Sequence, residues 1–299
     1  MQGTLFRYGP GPAHVAFISS YDGRPIPSPG ATPVQTHVVA VGGLTDGLMF
    51  ANWIPILTSN LQIKGIGVVQ PLLTSSHQGW GMGSLDRDAN ELLLLAKHLK
   101  SAFNCTKIVL IGHSTGCQDA VTVATKYAKA HPEDSGLPSL RGVMLQAPVS
   151  DREWLATLPN SKELLLKAEE AERNGMLEDV VFRMMEFDGA ALTARRWLSL
   201  VRRGGEDDMF SCDLSDEELK EKVVIGLRGI PTLVVISGHD EYVVDSAAYK
   251  AFAQRMVNAI GKSARLEIVE KGNHSLSSPS DAESAAAMMT DFVLHAVQG

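Results

Sequence analysis

The sequence predicts an α/β fold: a mostly parallel, doubly wound sheet covered by helices on both faces, with a helical segment inserted late in the chain. Three observations carry this. Short, continuous runs of β-branched and aliphatic residues recur and end at glycine or polar residues, as buried parallel strands do. Helical patterns separate them, and that alternation implies right-handed crossovers. The rhythm then breaks once, over 151–229, where charged helical patterns stand alone.

The strand candidates are HVVAV (37–41), IGVVQ (66–70), KIVLI (107–111), GVMLQA (142–147), TLVVIS (232–237) and RLEIVE (265–270). The helix over 84–102 starts with Ser84 as a plausible N-cap and with Asp86 and Asp88 in its first turn, where negative charge suits the helix dipole. CQDAVTVATKYAKAH continues as a helix from 117, and DSAAYKAFAQRMVNAIG (245–261) ends in a C-terminal glycine. A last helix runs over 281–297, and the Gly- and Pro-rich stretch 21–33 reads as a loop between early strands. Residues 1–150 and 230–299 therefore form the sheet domain. Residues 151–229, with SKELLLKAEEAERNG and LSDEELKEKVV, read as a helical lid without a convincing strand. The alternative is that these helices merely cover the sheet.

Bulk composition narrows the function. With 299 residues, 44% of them hydrophobic, the chain has ample material for a core. The net charge is −7 and no Lys/Arg cluster offers a phosphate-binding face, so nucleic acid is excluded as a partner. Three cysteines without a C-x-x-C pair read as reduced thiols, neither a disulfide framework nor a zinc site. The first residues show no basic stretch leading into an apolar one, and no apolar run approaches ~18 residues. A cytoplasmic protein with no membrane partner is expected. The oligomeric state is left open.

The chemistry is concentrated in GHSTG, residues 112–116, which fits G-x-S-x-G with a strand before it and a helix after it. To stand at the tip of so sharp a turn, Ser114 needs a strained backbone, and side chains two positions to either side would clash. The turn also sets Ser114 at a helix N-terminus, whose amides favour developing negative charge. A serine hydroxyl needs a base, and the base needs an orienting acid. In an elbow of this type they follow in the order serine, acid, histidine. Asp240 stands just after one strand, closer to its end than Glu241 or Asp245, and His274 lies in the loop after the next. His113 belongs to the elbow and reads as packing, and His239 as a structural or pocket residue.

Two backbone amides must also receive the oxyanion. One is that of Thr115, after the nucleophile; the other comes from VVAVGGLTDG (38–47), where Gly42 and Gly43 let the loop approach Ser114 and Leu44 is the best-placed donor. Gly43 and Asp46 are candidates for substrate contact, Asp46 alternatively holding the loop by hydrogen bonds. SSHQGWGMGSL (75–85) is expected to pack behind the elbow, with Trp80 a candidate to reach the substrate.

Over nearly its full length the chain resembles an α/β-hydrolase. GGLTDGLMFANWIPIL, SSHQGWGMGSLDRDANEL and GHSTGCQDAV further resemble a small eukaryotic family that includes fungal esterases opening fusarinine-type siderophores. The resemblance implies Ser114 as nucleophile, Asp240 as acid and His274 as base. The expected activity is hydrolysis of an ester in a bulky small-molecule substrate, with no metal or organic cofactor. An acyltransferase or thioesterase on the same residues, or a non-catalytic binding protein, are the alternatives.

Overall fold

The structure, a computed structural model, describes residues 1–19, 35–130, 136–187 and 189–298; the stretch 21–33 read as a loop lies outside them. Eight strands form one sheet: β1 (Gly3–Arg7), β2 (Val15–Ser19), β3 (Thr36–Val41), β4 (Ile66–Leu72), β5 (Lys107–His113), β6 (Ser139–Gln146), β9 (Thr232–Ser237) and β10 (Ala264–Val269). Their spatial order is β1-β2-β4-β3-β5-β6-β9-β10. β1 and β2 pair antiparallel at one edge, and every pair from β4 to β10 is parallel. The six strands expected from sequence are these six parallel ones, each lying within a residue or a few of its predicted bounds.

Helices cover both faces. On one side α2 (Leu85–Phe103), α3 (Gly116–Lys129) and α9 (Ser246–Ile260) bury a cluster that includes Leu95, Leu99, Val121, Ala124 and Phe252. On the other, α1 (Trp53–Gln62) and α10 (Pro279–Gln298) enclose Trp53, Leu57, Ala286 and Met289 against Val38, Val109 and Val235. Ser84 caps α2 as expected, its side chain accepting the Arg87 amide hydrogen.

Register brings the chemistry to one edge. Val41 pairs with Gly112, His113 with Gln146, and Gln146 with Val235. The carboxyl ends of β3, β5, β6 and β9 therefore lie level, and the loops that follow them meet above the middle of the sheet, where open α/β sheets place their sites.

The inserted segment differs from its sequence reading in two ways. Helices α4 (Asp151–Leu155), α5 (Ser161–Arg173) and α6 (Ala194–Val201) are interrupted by an antiparallel hairpin, β7 (Val180–Met184) with β8 (Ala190–Thr193). Its strands are short, and what fixes them is tertiary contact. β8 lies so close to the 3₁₀ turn His77–Met82 that a Cβ on Gly81 would meet the Ala191 carbonyl oxygen at 2.1 Å. Secondly, α7 (Asp216–Leu219) and α8 (Ile225–Leu227), joined by a π-helical turn, send Leu219, Val223, Val224 and Leu227 into the main core. The first half of the insertion has a core of its own, around Leu155, Ala168, Leu192 and Trp197. No helix among the described residues is long and apolar enough to cross a membrane.

Candidate active site

β5 ends in the turn that carries Ser114, whose φ of 53° lies in the left-handed region that side chains rarely adopt. The two flanking glycines are forced by contact. A Cβ on Gly112 would stand 2.2 Å from the Gly116 carbonyl oxygen, and one on Gly116 would stand 2.5 Å from the carbonyl oxygen of Val41. The turn is tied down where the Ser114 amide donates to the Gln146 carbonyl at 3.0 Å. α3 begins immediately after, at Gly116.

His274 and Asp240 meet beside it. His274 Nδ1 lies 2.9 Å from Asp240 Oδ2 and 3.0 Å from Oδ1. A carboxylate accepts, so the Nδ1 hydrogen of His274 is directed at Asp240. Both side chains are buried, Asp240 completely. The three acids that competed in sequence have separate tasks. Asp240 orients the imidazole, Glu241 Oε2 accepts the His274 amide hydrogen at 2.9 Å, and Asp245 caps α9 through the amides of Ala247 and Ala248. The Tyr242 ring packs edge-on to His274 with centroids 4.5 Å apart.

His113 is fully buried and neutral: burial, and secondarily the neighbouring His274, push its pKa down to about 3. Its Nδ1 donates to Gln146 Oε1 at 2.5 Å, and Gln146 Nε2 donates to the His274 carbonyl at 2.9 Å. Gln146 thus joins the Ser114 turn to the His274 loop. Sequence reading passed over it, although a glutamine closing an otherwise apolar buried strand is the signal that marks it. His239 takes a backbone bond, its amide donating to the Gly272 carbonyl at 2.9 Å.

The loop after β3 comes within contact of the serine: a Cβ on Gly43 would stand 2.6 Å from Ser114 Cβ. The Gly43 amide is already engaged, donating to Asp46 Oδ2 at 2.7 Å. Asp46 therefore holds the loop, and it also lines the cavity; burial raises its pKa above the usual carboxylate value. Ser114, His113 and His274 share that cavity, of about 160 Å³, with Gly43, Leu44 and Asp46. Thr115 is buried and faces a second, smaller space of about 30 Å³ behind the loop, with Gly42, Gly43 and Leu44.

Trp80 packs, as its segment is expected to, and lines the small space behind the Gly42–Gly43 loop without reaching the cavity beside Ser114. It is 2% exposed and belongs to the core of the insertion, edge-on to Phe187 at 5.4 Å, and is not among the residues lining the cavity beside Ser114. Its large ring is drawn into the apolar seam between the 3₁₀ turn and the hairpin. Trp154, Phe187 and Tyr242 form the aromatic wall of the cavity instead. Among the described residues there is no group of three or more His, Cys, Asp or Glu arranged to hold a metal ion.

Comparison with known proteins agrees with this architecture. The chain is 31% identical over 295 residues to the fusarinine C esterase sidJ of Aspergillus fumigatus, covering 81% of this chain and 83% of that one. Among solved structures it superposes on the siderophore hydrolase EstB from Aspergillus fumigatus with a TM-score of 0.75 at 28% identity, covering 99% and 97% of the two chains. Est1E from Butyrivibrio proteoclasticus, at 15% identity and a TM-score of 0.60 over the full length of both chains, shares the fold. The sheet order, the helical layers and these likenesses define an α/β-hydrolase fold, and a family model described as a protein of unknown function, DUF1749, matches residues 17–298: the chain belongs to that family.

Proposed function

We propose that this protein is a serine esterase that works through an acyl-enzyme. In the reaction, Ser114 Oγ attacks the acyl carbon of an ester while His274 Nε2 takes its proton, and Asp240 steadies the imidazolium. The oxyanion is received by the amides of Leu44 and Thr115. The proton held on His274 passes to the departing alkoxide. Water, deprotonated by the same imidazole, then attacks the acyl-enzyme and frees the acid and Ser114.

The observation that carries this reading is His274, doubly contacted by the buried Asp240, on one cavity with a serine held at positive φ. A serine kept in so unfavourable a backbone conformation calls for a functional reason. The names of the two Aspergillus relatives supply the substrate class: a siderophore ester, of which the cavity would seat only the part around the scissile bond. Its free cysteines suit an intracellular setting, and the cytoplasm is the proposed location.

The test is fluorophosphonate labelling of the purified protein, with the adduct located by peptide mass spectrometry. The expected result is a single adduct on Ser114, absent from Ser114→Ala and strongly reduced in His274→Ala. Both variants should lose ~10⁴-fold or more in kcat on a nitrophenyl ester. Undiminished turnover by folded Ser114→Ala would overturn the mechanism.

A further inference from the structure

Behind the loop that approaches Ser114, the small space of about 30 Å³ is lined by Trp80, Asp88, Asp119 and Arg196, among others. Trp80, Asp88 and Asp119 are only 2%, 4% and 7% exposed. Each carries a buried polar atom without a hydrogen-bond partner among the described residues: Trp80 Nε1, Asp88 Oδ1 and Asp119 Oδ1. The Arg87 guanidinium comes to 3.8 Å of Asp88 Oδ1, beyond hydrogen-bond reach. Three orphaned atoms, on residues that line one small space, call for something that bridges them. A buried polar group without a partner bears its full desolvation cost.

The chemistry of the three atoms and the size of the space identify the bridge. One is a donor and two are carboxyl oxygens. A single water molecule complements that set, accepting from the indole N–H and donating to both acids. The space is larger than the ~15 Å³ that one water needs. A cation there is opposed by the indole N–H and by the Arg196 guanidinium, and an anion by two carboxyl groups. Burial pushes the pKa of Asp88 up to about 6 and that of Asp119 well above the usual carboxylate value. Water suits either state, since it donates to a carboxylate and accepts from a carboxylic acid.

The space also shares a wall with the cavity beside Ser114, because Gly43, Leu44 and Asp46 line both. Towards α3 the loop is already blocked: a Cβ on Gly116 would stand 2.6 Å from the Gly42 carbonyl oxygen. Water in the space backs the loop from behind.

We propose that one or two water molecules, bound by Trp80, Asp88 and Asp119, back the loop from Gly42 to Leu44, and that Asp119 is thereby a positioning residue for the Leu44 amide. The positioning role rests on the reading of that amide as an oxyanion donor; the water site does not. Asp119 touches no substrate and acts through the water and the loop.

Two measurements on the full chain test this. A crystal structure should show solvent density about 2.7–3.2 Å from at least two of the three orphaned atoms. No density there overturns the water site, and density with the coordination of a metal ion overturns its chemistry. Steady-state kinetics on a neutral nitrophenyl ester test the positioning. Asp119→Leu removes one partner of the water and should lower kcat about 10-fold with KM nearly unchanged. Asp119→Asn keeps an acceptor oxygen and should recover most of that loss. Trp80→Phe keeps a packed ring and removes the N–H. It should lower kcat in the same sense and weaken the solvent density, and it carries the test where Asp119→Leu fails to fold. Water present with kcat unchanged in both Asp119→Leu and Trp80→Phe overturns the positioning role. An equal loss in Asp119→Asn shows that the charge of Asp119, and not the water, is what matters, and overturns it too. No turnover by the parent, with no fluorophosphonate adduct on Ser114, overturns the esterase reading and the positioning role together, while the density still decides the water site.

Discussion

Asp46 and Gly43 close on each other twice: Asp46 Oδ2 accepts the Gly43 amide hydrogen at 2.7 Å, and the Asp46 amide donates to the Gly43 carbonyl at 3.2 Å. The double closure uses up one amide of the loop that approaches Ser114, and leaves that of Leu44 as the donor proposed for an oxyanion. It adds to the bonds by which the Met49 amide donates to Gln70 Oε1 and the His77 amide to the Asp46 carbonyl, in a stretch where Thr45 and Met49 both sit at positive φ.

Asp46→Ala should therefore act through the position of the Leu44 amide. On a neutral nitrophenyl ester, kcat should fall about 10- to 100-fold with KM nearly unchanged, since a donor held in the wrong place is lost mainly in the transition state. Asp46→Asn can still accept the Gly43 hydrogen through its amide oxygen and should stay within a few-fold of the parent. Equal losses in the two variants, read by steady-state kinetics, would show that the charge of Asp46, and not its bond to the loop, is what matters.

Gln146 invites a stability prediction. Its amide serves two buried partners, His113 Nδ1 and the His274 carbonyl, so Gln146→Met strands both. Leaving a buried donor and acceptor without partners costs about 1–3 kcal/mol each, and the thioether contributes only a weak acceptor. A drop in Tm of about 5–10 °C is expected. Because the same bond fixes the His274 loop, kcat should fall too. A variant that melts like the parent would show that His113 finds another acceptor.

How much of this was legible in the sequence depends on what each residue touches. The six parallel strands could be read because both faces are buried, which makes their sequences continuously apolar. β1, with alternate residues exposed at the antiparallel edge, gives a weaker pattern, and the β7–β8 hairpin exists through its contact with the turn at Gly81. The glycines at 112 and 116 announce the elbow, since the close contacts that require them are local to the turn and the loop beside it. Nearness to the strand end singles out Asp240 in the sequence, while the tasks of Glu241 at the His274 amide and of Asp245 at a helix cap show only in the fold. Trp80 could be placed near the site by its motif, but which way its ring turns is decided by the hairpin, more than a hundred residues later in the chain.

Asp151 should make stability depend on pH. Burial, then Asp207, raise its pKa from 3.8 to about 7 in the folded chain, while Arg196 and Gln118 oppose the rise. Between those values the unfolded chain has released a proton that the folded chain keeps. Unfolding then releases a proton, and stability falls as pH rises through the window from about 4 to about 7. Asp151→Asn does not titrate and can still accept from Gln118. Its stability should gain on that of the parent across this window and then level off, by on the order of 4 kcal/mol in all. A difference in Tm that stays flat from acid to neutral pH would mean that Asp151 is ionised in the folded chain throughout.

Arg196 ties the insertion to the sheet domain through the Trp80 carbonyl, as Arg255 does through the Cys212 and Leu214 carbonyls. From α6 its Nη1 donates to Asp207 Oδ2 at 2.7 Å and its Nε to the Trp80 carbonyl at 3.0 Å, and both charged side chains are almost wholly buried. The same guanidinium lines the small space behind the Gly42–Gly43 loop together with Asp88 and Asp119, and it lowers the pKa of both acids against the dominant effect of burial. Removing one partner of a buried ion pair leaves the other charge uncompensated, at about 3–5 kcal/mol. Arg196→Met should therefore lower Tm by about 10 °C near neutral pH. Arg196→Lys, which keeps the charge but not the two-pronged reach to Asp207 and Trp80, should fall between the two. The deficit of Arg196→Met should narrow on acidification from about pH 7 to about pH 5, because protonating the stranded carboxylates removes the charge that the arginine had balanced. The experiment is a set of thermal melts of the three proteins across that range. A deficit that does not narrow would assign the loss to the Trp80 hydrogen bond and to packing. No deficit at all would show that other contacts, the Arg255 bonds and the packing of Trp80 and Trp197 among them, hold the insertion to the sheet domain.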